Sequence, residues 1–132
     1  MSHAEGSSYA YGNYSHAEGD GTSARGLRSH SEGLWTYATG EASHSEGIST
    51  TASGQGSHAQ GKYNIVDNNN TYAHIVGNGT SSVHSNAHTL DWDGNGWFAG
   101  DVYVGSTSGT NKDDGSKKLA TEKYVDDSTS NI

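Results

Sequence analysis

The chain contains no cysteine, which excludes a disulfide framework and any thiolate-held metal. Large aliphatics are also scarce. Leu, Ile, Val and Phe supply 15 of 132 residues, below the roughly 20% under which a charged chain usually stays disordered. The hydrophobic fraction of 30% leans on small residues, since 12 of those side chains are Ala. A single-chain globule built round a thick aliphatic core is therefore excluded. Two options are left: disorder, or a repetitive fold completed by stacked neighbours and partner chains. No apolar run approaches the ~20 residues of a membrane helix, and no signal-peptide pattern follows Met1, so membrane insertion is not expected. The formal charge of −8 has the wrong sign for neutralising phosphates, so nucleic acid is not an expected partner either. Eight histidines would bring that charge close to zero if all were protonated.

What the sequence does contain is a clock. Glycine recurs at positions 6, 12, 19, 26, 33, 40, 47, 54 and 61, and after one step of six every step is seven. The segments ending at alternate glycines read SHAEG (2–6), SHAEG (15–19), SHSEG (29–33), SHSEG (43–47) and SHAQG (57–61). Between them lie SYAYG (8–12), TSARG (22–26), TYATG (36–40) and TTASG (50–54), so the full period is 14. A disordered tract would not hold this register. A coiled coil needs large apolar residues at two positions per heptad, whereas a glycine every seventh residue costs a helix about 1 kcal/mol each time. Five-residue strands joined by two-residue glycine-led turns fit better.

Side chains alternate along a strand, which puts Ser, Ala and Gly on one face and the His/Glu pair on the other. Only a narrow interior accepts nothing larger than Ser or Ala. The expected fold is thus all-β, a tight parallel β-solenoid of 14-residue turns with its small residues inside. The outer face is nearly constant in one half-turn, at His3/Glu5, His16/Glu18, His30/Glu32, His44/Glu46 and His58/Gln60. In the other half it varies: Tyr9/Tyr11, Ser23/Arg25, Tyr37/Thr39 and Thr51/Ser53. A face repeated without drift answers to a geometric constraint, and contact with two identical chains is the simplest one. The predicted trimer interface is that His/Glu column, continued by His74 and Val76 in AHIVG (73–77). At a spacing of about 4.8 Å per turn, five turns make a stem of only about 24 Å, too slight to stand alone.

Strands of the form SxAxG at a 14-residue period resemble the YadA-like head of trimeric adhesins. The wording SHAEG…TxASG…SHAEG is similar to the version in tail-fibre proteins of phages that infect Gram-positive bacteria. The likeness spans residues 2–77 and implies a left-handed parallel β-roll assembled as a homotrimer. Where the adhesin repeat usually carries aliphatics, this chain has His and Glu.

From Lys62 the pattern changes, dividing the chain into a roll (1–77), a β-hairpin cap (78–105), and a linker with a short helix leading to a stalk (106–132). AHTLDW (87–92) and GWFAGDVYVG (96–105) read as strands, with the hairpin signal DGNG (93–96) between them. Leu90, Trp92, Trp97, Phe98, Val102 and Val104 gather most of the large apolar side chains here, as expected of a cap over an open solenoid end. KKLATEKYVDD (117–127) has helical spacing and resembles the segment leading into a phage-fibre stalk.

Each chemical motif has a structural competitor. Ser-His-Ala-Glu has the residue types of a hydrolase, but neighbours on a strand face opposite ways, so Ser2 and His3 cannot meet as nucleophile and base. No cofactor is therefore expected, except that three chains would bring three imidazoles to one level of a threefold axis, at His16, His30 or His44, and imidazole suits Zn, Ni or Cu, with Glu orienting the second nitrogen. The competitor is a ladder of His–Glu hydrogen bonds. If these hold chains together, protonating Glu should loosen the trimer, while mild acid that charges His first should tighten it. The mass of the assembly across pH tests this. Asp91-Trp92-Asp93-Gly94-Asn95-Gly96 matches the opening of an EF-hand loop, but its twelfth position is Val102 rather than Glu, which favours a hairpin turn. Asn69-Asn70-Thr71 and Asn78-Gly79-Thr80 are glycosylation sequons of a kind frequent by chance. Tyr9, Tyr11, Tyr37 and Trp35 could stack on a host-surface glycan or cover a joint between chains.

The reading that joins these observations is a non-enzymatic homotrimer in a virion tail fibre, partnered by other fibre segments and presenting a distal host-binding domain. The alternative is the head of a bacterial cell-surface trimeric adhesin that binds a host ligand itself.

Overall fold

The computed structural model of the chain describes residues 1–104 and the pair Lys117–Lys118. Two compact units divide the chain, Met1–Ala99 and Gly100–Ile132. In the second, β11 (Tyr103–Val104) pairs antiparallel with β12 (Lys117–Lys118). The helix expected over 117–127 otherwise lies outside the described residues, and its first two positions are strand. Most of the expected linker and stalk (106–132) lies outside them too.

The first unit is a parallel β-solenoid of about five turns. One side of the coil carries β1 (His3–Ala10), β2 (His16–Ala24), β3 (His30–Leu34), β5 (His44–Ile48) and β7 (His58–Lys62). The other carries β4 (Tyr37–Ala38) and β6 (Thr51–Ala52), beside the far half of β2. Pairing runs His16↔His30↔His44↔His58, a register of 14 residues. The six-residue glycine step near the start shortens the first pair to His3↔His16, and the ladder absorbs the missing residue as a register shift between Ser7 and Tyr9.

The interior is as narrow as the side chains required. Its buried hydrophobics are Ala17, Ala24, Ala38, Ala52, Ala59 and one large residue, Ile75. Between the alanines lie buried hydroxyls. Ser15, Ser29, Ser43 and Ser57 each donate to the carbonyl of the glycine three residues earlier, at 2.6–2.7 Å. Ser31 meets Thr36 at 2.8 Å and Ser45 meets Thr50 at 2.9 Å, and both threonines bond back to the Glu32 and Glu46 carbonyls. Such a core holds together because nearly all of its buried hydroxyls have a partner, Thr22 being the exception.

The glycines divide into two kinds, which corrects the expectation that all face inward. Gly12, Gly26, Gly40 and Gly54 are buried, while Gly19, Gly33 and Gly61 are exposed and Gly47 is intermediate. These last four have φ between +90° and +116°. A Cβ at Gly33 would strike the Gly47 carbonyl oxygen of the next turn. The second residue after each repeat glycine from Gly12 to Gly61 is left-handed as well: Tyr14, Gly21, Arg28, Trp35, Ala42, Ser49, Gly56 and Tyr63 have φ between +45° and +70°, as does Asn70 one step further along the count of seven. The seven-residue clock is a corner clock, with two corners per turn.

After β7 the period breaks, because His58 pairs with His74 of β8 (Tyr72–Asn78), sixteen residues on. The buried Asn64 sits where Thr22, Thr36 and Thr50 sit in earlier turns. Its side-chain amide accepts from Thr51 N–H and donates to Thr51 C=O, replacing a strand that the chain no longer supplies. Asp67 fixes the two-residue insertion by accepting from the Asn69 and Tyr72 amides. β9 (Asn86–Asp91) then pairs antiparallel with β8, and β10 (Gly96–Phe98) with β9. A hairpin of β9 and β10 is present, as a continuation of the roll's own sheet, but the second strand expected over 96–105 is only Gly96–Phe98 there, and Tyr103–Val104 belongs to the second unit.

Candidate functional site: the histidine–glutamate ladder

Small residues pointing inward force His and Glu outward, and the 14-residue register stacks them. The rings of His16, His30, His44 and His58 are 4.6–4.8 Å apart and within 7° of parallel. At the ends the stack tilts, to 54° between His3 and His16 and 37° between His58 and His74. Beside the rings runs Glu5, Glu18, Glu32, Glu46, Gln60 and Val76, paired turn by turn in the same register. Every residue expected at a trimer interface thus lies in one double column on one face. The described residues form a single chain, so the column is seen without partners.

Within it, each imidazole reaches for a carboxylate of the turn before. His44 Nε2 lies 3.1 Å from Glu32 Oε1, and His58 Nε2 lies 3.2 Å from Glu46 Oε1. His3 instead meets Glu5 of its own strand at 3.1 Å. His16 and His30 are different. Their Nε2 atoms stand 3.7 and 3.8 Å from Glu18, too far to bond, and are shielded from water with no other partner. The ladder carries carboxylates and imidazoles and neither Lys nor Arg. Burial and the neighbouring rings of His44 and His16 hold the His30 pKa below its ordinary value, and burial with His58 and His88 does the same to His74. Glu32 and Glu46, on adjacent turns, titrate as a pair. Burial and hydrogen bonding to Glu46 raise Glu32; burial opposes a net lowering of Glu46 by its hydrogen bond to Glu32 and by His58 and His44.

The ligand groups that come together are His–Glu–His sets on adjacent turns: His3/Glu5/His16, His30/Glu32/His44 and His44/Glu46/His58, each with its ligand atoms within 4.8 Å. Inside the coil, Ser29 donates to Gly26 while His30 lies on the outer column, so Ser and His of one repeat stand on opposite faces.

Other candidates resolve differently. Asp91 accepts from the Asp93 and Asn95 amides and from Asn95 Nδ2, at 2.8–3.1 Å, so its carboxylate closes the hairpin turn. Those hydrogen bonds, led by Asn95, hold its pKa below the usual value. Tyr9 and Tyr11 stack on each other at 5.7 Å, and Arg25 lies within 6 Å of the Tyr11 and Tyr37 rings, so these faces are partly covered from within the chain.

Two features escaped the sequence reading. His88 of β9 meets His74 edge-on at 5.9 Å and stacks on Phe98 at 4.3 Å, extending the ring column beyond the repeats. It lies on an antiparallel strand outside the period, so periodicity gave no sign of it. The second is an open groove of about 610 Å³ lined by Tyr72, Trp97, Asn78, Asn86 and Asp91 among others. Its walls come from residues 65–78 and 85–99, and the hairpin's docking onto β8 brings them together. Among known proteins, no family model, no curated sequence and no solved structure matches this chain.

Proposed function

We propose that the chain is a structural module: a homotrimeric β-roll, left-handed as in YadA-like heads, within a phage tail fibre or related receptor-binding device. One observation carries this reading. An undrifting column of half-exposed imidazoles and carboxylates covers one face of a roll whose interior holds one large buried hydrophobic, Ile75. A face with no role in packing would be free to vary; this one repeats while its opposite varies. Leu34 and Ile48, at the ends of β3 and β5, are 39% and 42% exposed and would add apolar contact beside the column. Three stiff rolls in register would hold a distal domain and let weak host contacts sum through avidity. The hairpin of β9 and β10 would cap the end of the roll.

Native mass spectrometry tests the assembly. A species of three times 13.8 kDa is expected; a folded single chain at micromolar concentration overturns it. Antibody labelling of tail fibres on intact particles tests the placement. A second reading, an adhesin head that binds a host ligand directly, is favoured by the groove with Trp97 on its wall. Attachment of the isolated module to host cells, lost in Trp97→Ala, would select that reading.

A further inference from the structure

We infer that the ladder binds a divalent first-row metal ion at its centre, one per chain, with His44 as the shared ligand between His30/Glu32 on one side and Glu46/His58 on the other. The donor set is right for Zn, Ni or Cu, which take imidazole nitrogen and carboxylate oxygen.

The spacing is close to what an ion requires. With bonds of about 2.0–2.1 Å, two ligands of a tetrahedral zinc sit about 3.3 Å apart and two ligands of any geometry no more than about 4.2 Å. His44 Nε2 already lies 3.1 Å from Glu32 and 3.8 Å from Glu46. The remaining gap is between rings, where the atoms of each set span up to 4.8 Å. Closing it takes a tilt of side chains that are about one-third exposed and pack against no core. Rings of this column do tilt, by 54° and 37°, at the two joints where the step is 13 and 16 residues instead of 14.

Charge supplies the driving force. Glu32 and Glu46 face each other on adjacent turns, with Glu18 and Gln60 next in the same column, so a cation relieves repulsion that no Lys or Arg in the column offsets. The unpartnered, water-shielded Nε2 atoms of His16 and His30 show that His–Glu hydrogen bonding does not satisfy the whole ladder. Stoichiometry follows from geometry. Both central sets contain His44, and one imidazole nitrogen holds one ion, so filling one set takes the shared ligand from the other and a chain binds a single ion. The set His3/Glu5/His16, with side chains about 60% exposed at His3 and Glu5, is the weaker place.

None of this requires the trimer, and the test separates the two. Protein freed of metal with EDTA is titrated with zinc chloride by calorimetry, with Co²⁺ absorption as a second readout and native mass in the same samples. Expected are one tight Zn²⁺ per chain with proton release, Co²⁺ bands of low-symmetry N/O ligation, and no comparable binding of Mg²⁺ or Ca²⁺, which prefer all-oxygen sites. His44→Gln should weaken zinc at least tenfold, and His84→Gln, outside the column, should leave it unchanged. Absence of a one-to-one zinc site, equal binding of Ca²⁺, or full affinity in a folded His44→Gln variant overturns the inference. Zinc bound by a single chain keeps it and removes the trimer; a trimer that takes no zinc does the reverse.

Discussion

Thr22 is a buried hydroxyl with no hydrogen-bond partner. Its counterparts Thr36 and Thr50 bond to Ser31 and Ser45, five residues earlier, where this turn has Ala17. Ala17→Ser should therefore supply the missing bond in a space that accepts Ser two turns running. The expected gain is about 1 kcal/mol, read as a higher denaturation midpoint; a loss of stability would show that the first turns differ inside. Ala42 is held at φ 54° on a corner, a conformation costing a side-chain-bearing residue roughly 1–2 kcal/mol. Ala42→Gly should relieve that strain, and with the greater freedom of glycine in the unfolded chain the net gain is about 0.5–1 kcal/mol. Chemical denaturation of the pair of proteins measures it. These two residues mark the limit of the sequence at this scale. Small-residue periodicity made the interior legible, and the His/Glu alternation made the ladder legible. The left-handed corners were not legible, because Trp35, Arg28 and Ala42 are residues no one would place there from propensity. They adopt it because the turns above and below fix the backbone by hydrogen bonds such as Ala42 N–H to Leu27 C=O.

At the scale of the element, the β9–β10 hairpin is held by one carboxylate. Asp91 accepts three hydrogen bonds across its turn, and they depress its pKa. A depressed folded value means the contribution is fully present above the unfolded value of about 3.9 and disappears as pH falls through the lower folded value. Amide-exchange protection factors at Asp93 and Asn95 should be unchanged from neutral pH down to about 4 and should fall below it. Asp91→Asn should remove that pH step; its survival in the variant would assign the step to another group. The hairpin was legible because DGNG is a local signal, and Asp91 closes its turn. Its continuation of the roll's sheet was not legible. That depends on β9 meeting β8 in antiparallel register, which no local residue announces. The same pairing places His88 beneath the ring column and Trp97 on the groove.

For the whole molecule the question is association. Among the described residues β1 lies at the end of the coil with its outward residues exposed and pairs with β2 alone, and an unpaired edge favours pairing with something else. If three chains share the ladder, stability must depend on protomer concentration, because folding and assembly are then linked. The thermal midpoint should rise as protein concentration is raised across two orders of magnitude, whereas a constant midpoint would describe a self-sufficient chain. What the sequence determined by itself is the solenoid: a strict period, small inward residues and a charged outward pair leave one way to coil, since side-chain alternation and volume are local properties. What only the tertiary structure decided is the geometry between turns. Which imidazole nitrogen meets which carboxylate, which two lack a partner, and which distant walls enclose a groove depend on ångström offsets between stacked backbones, and those are set by the packing of all the turns together.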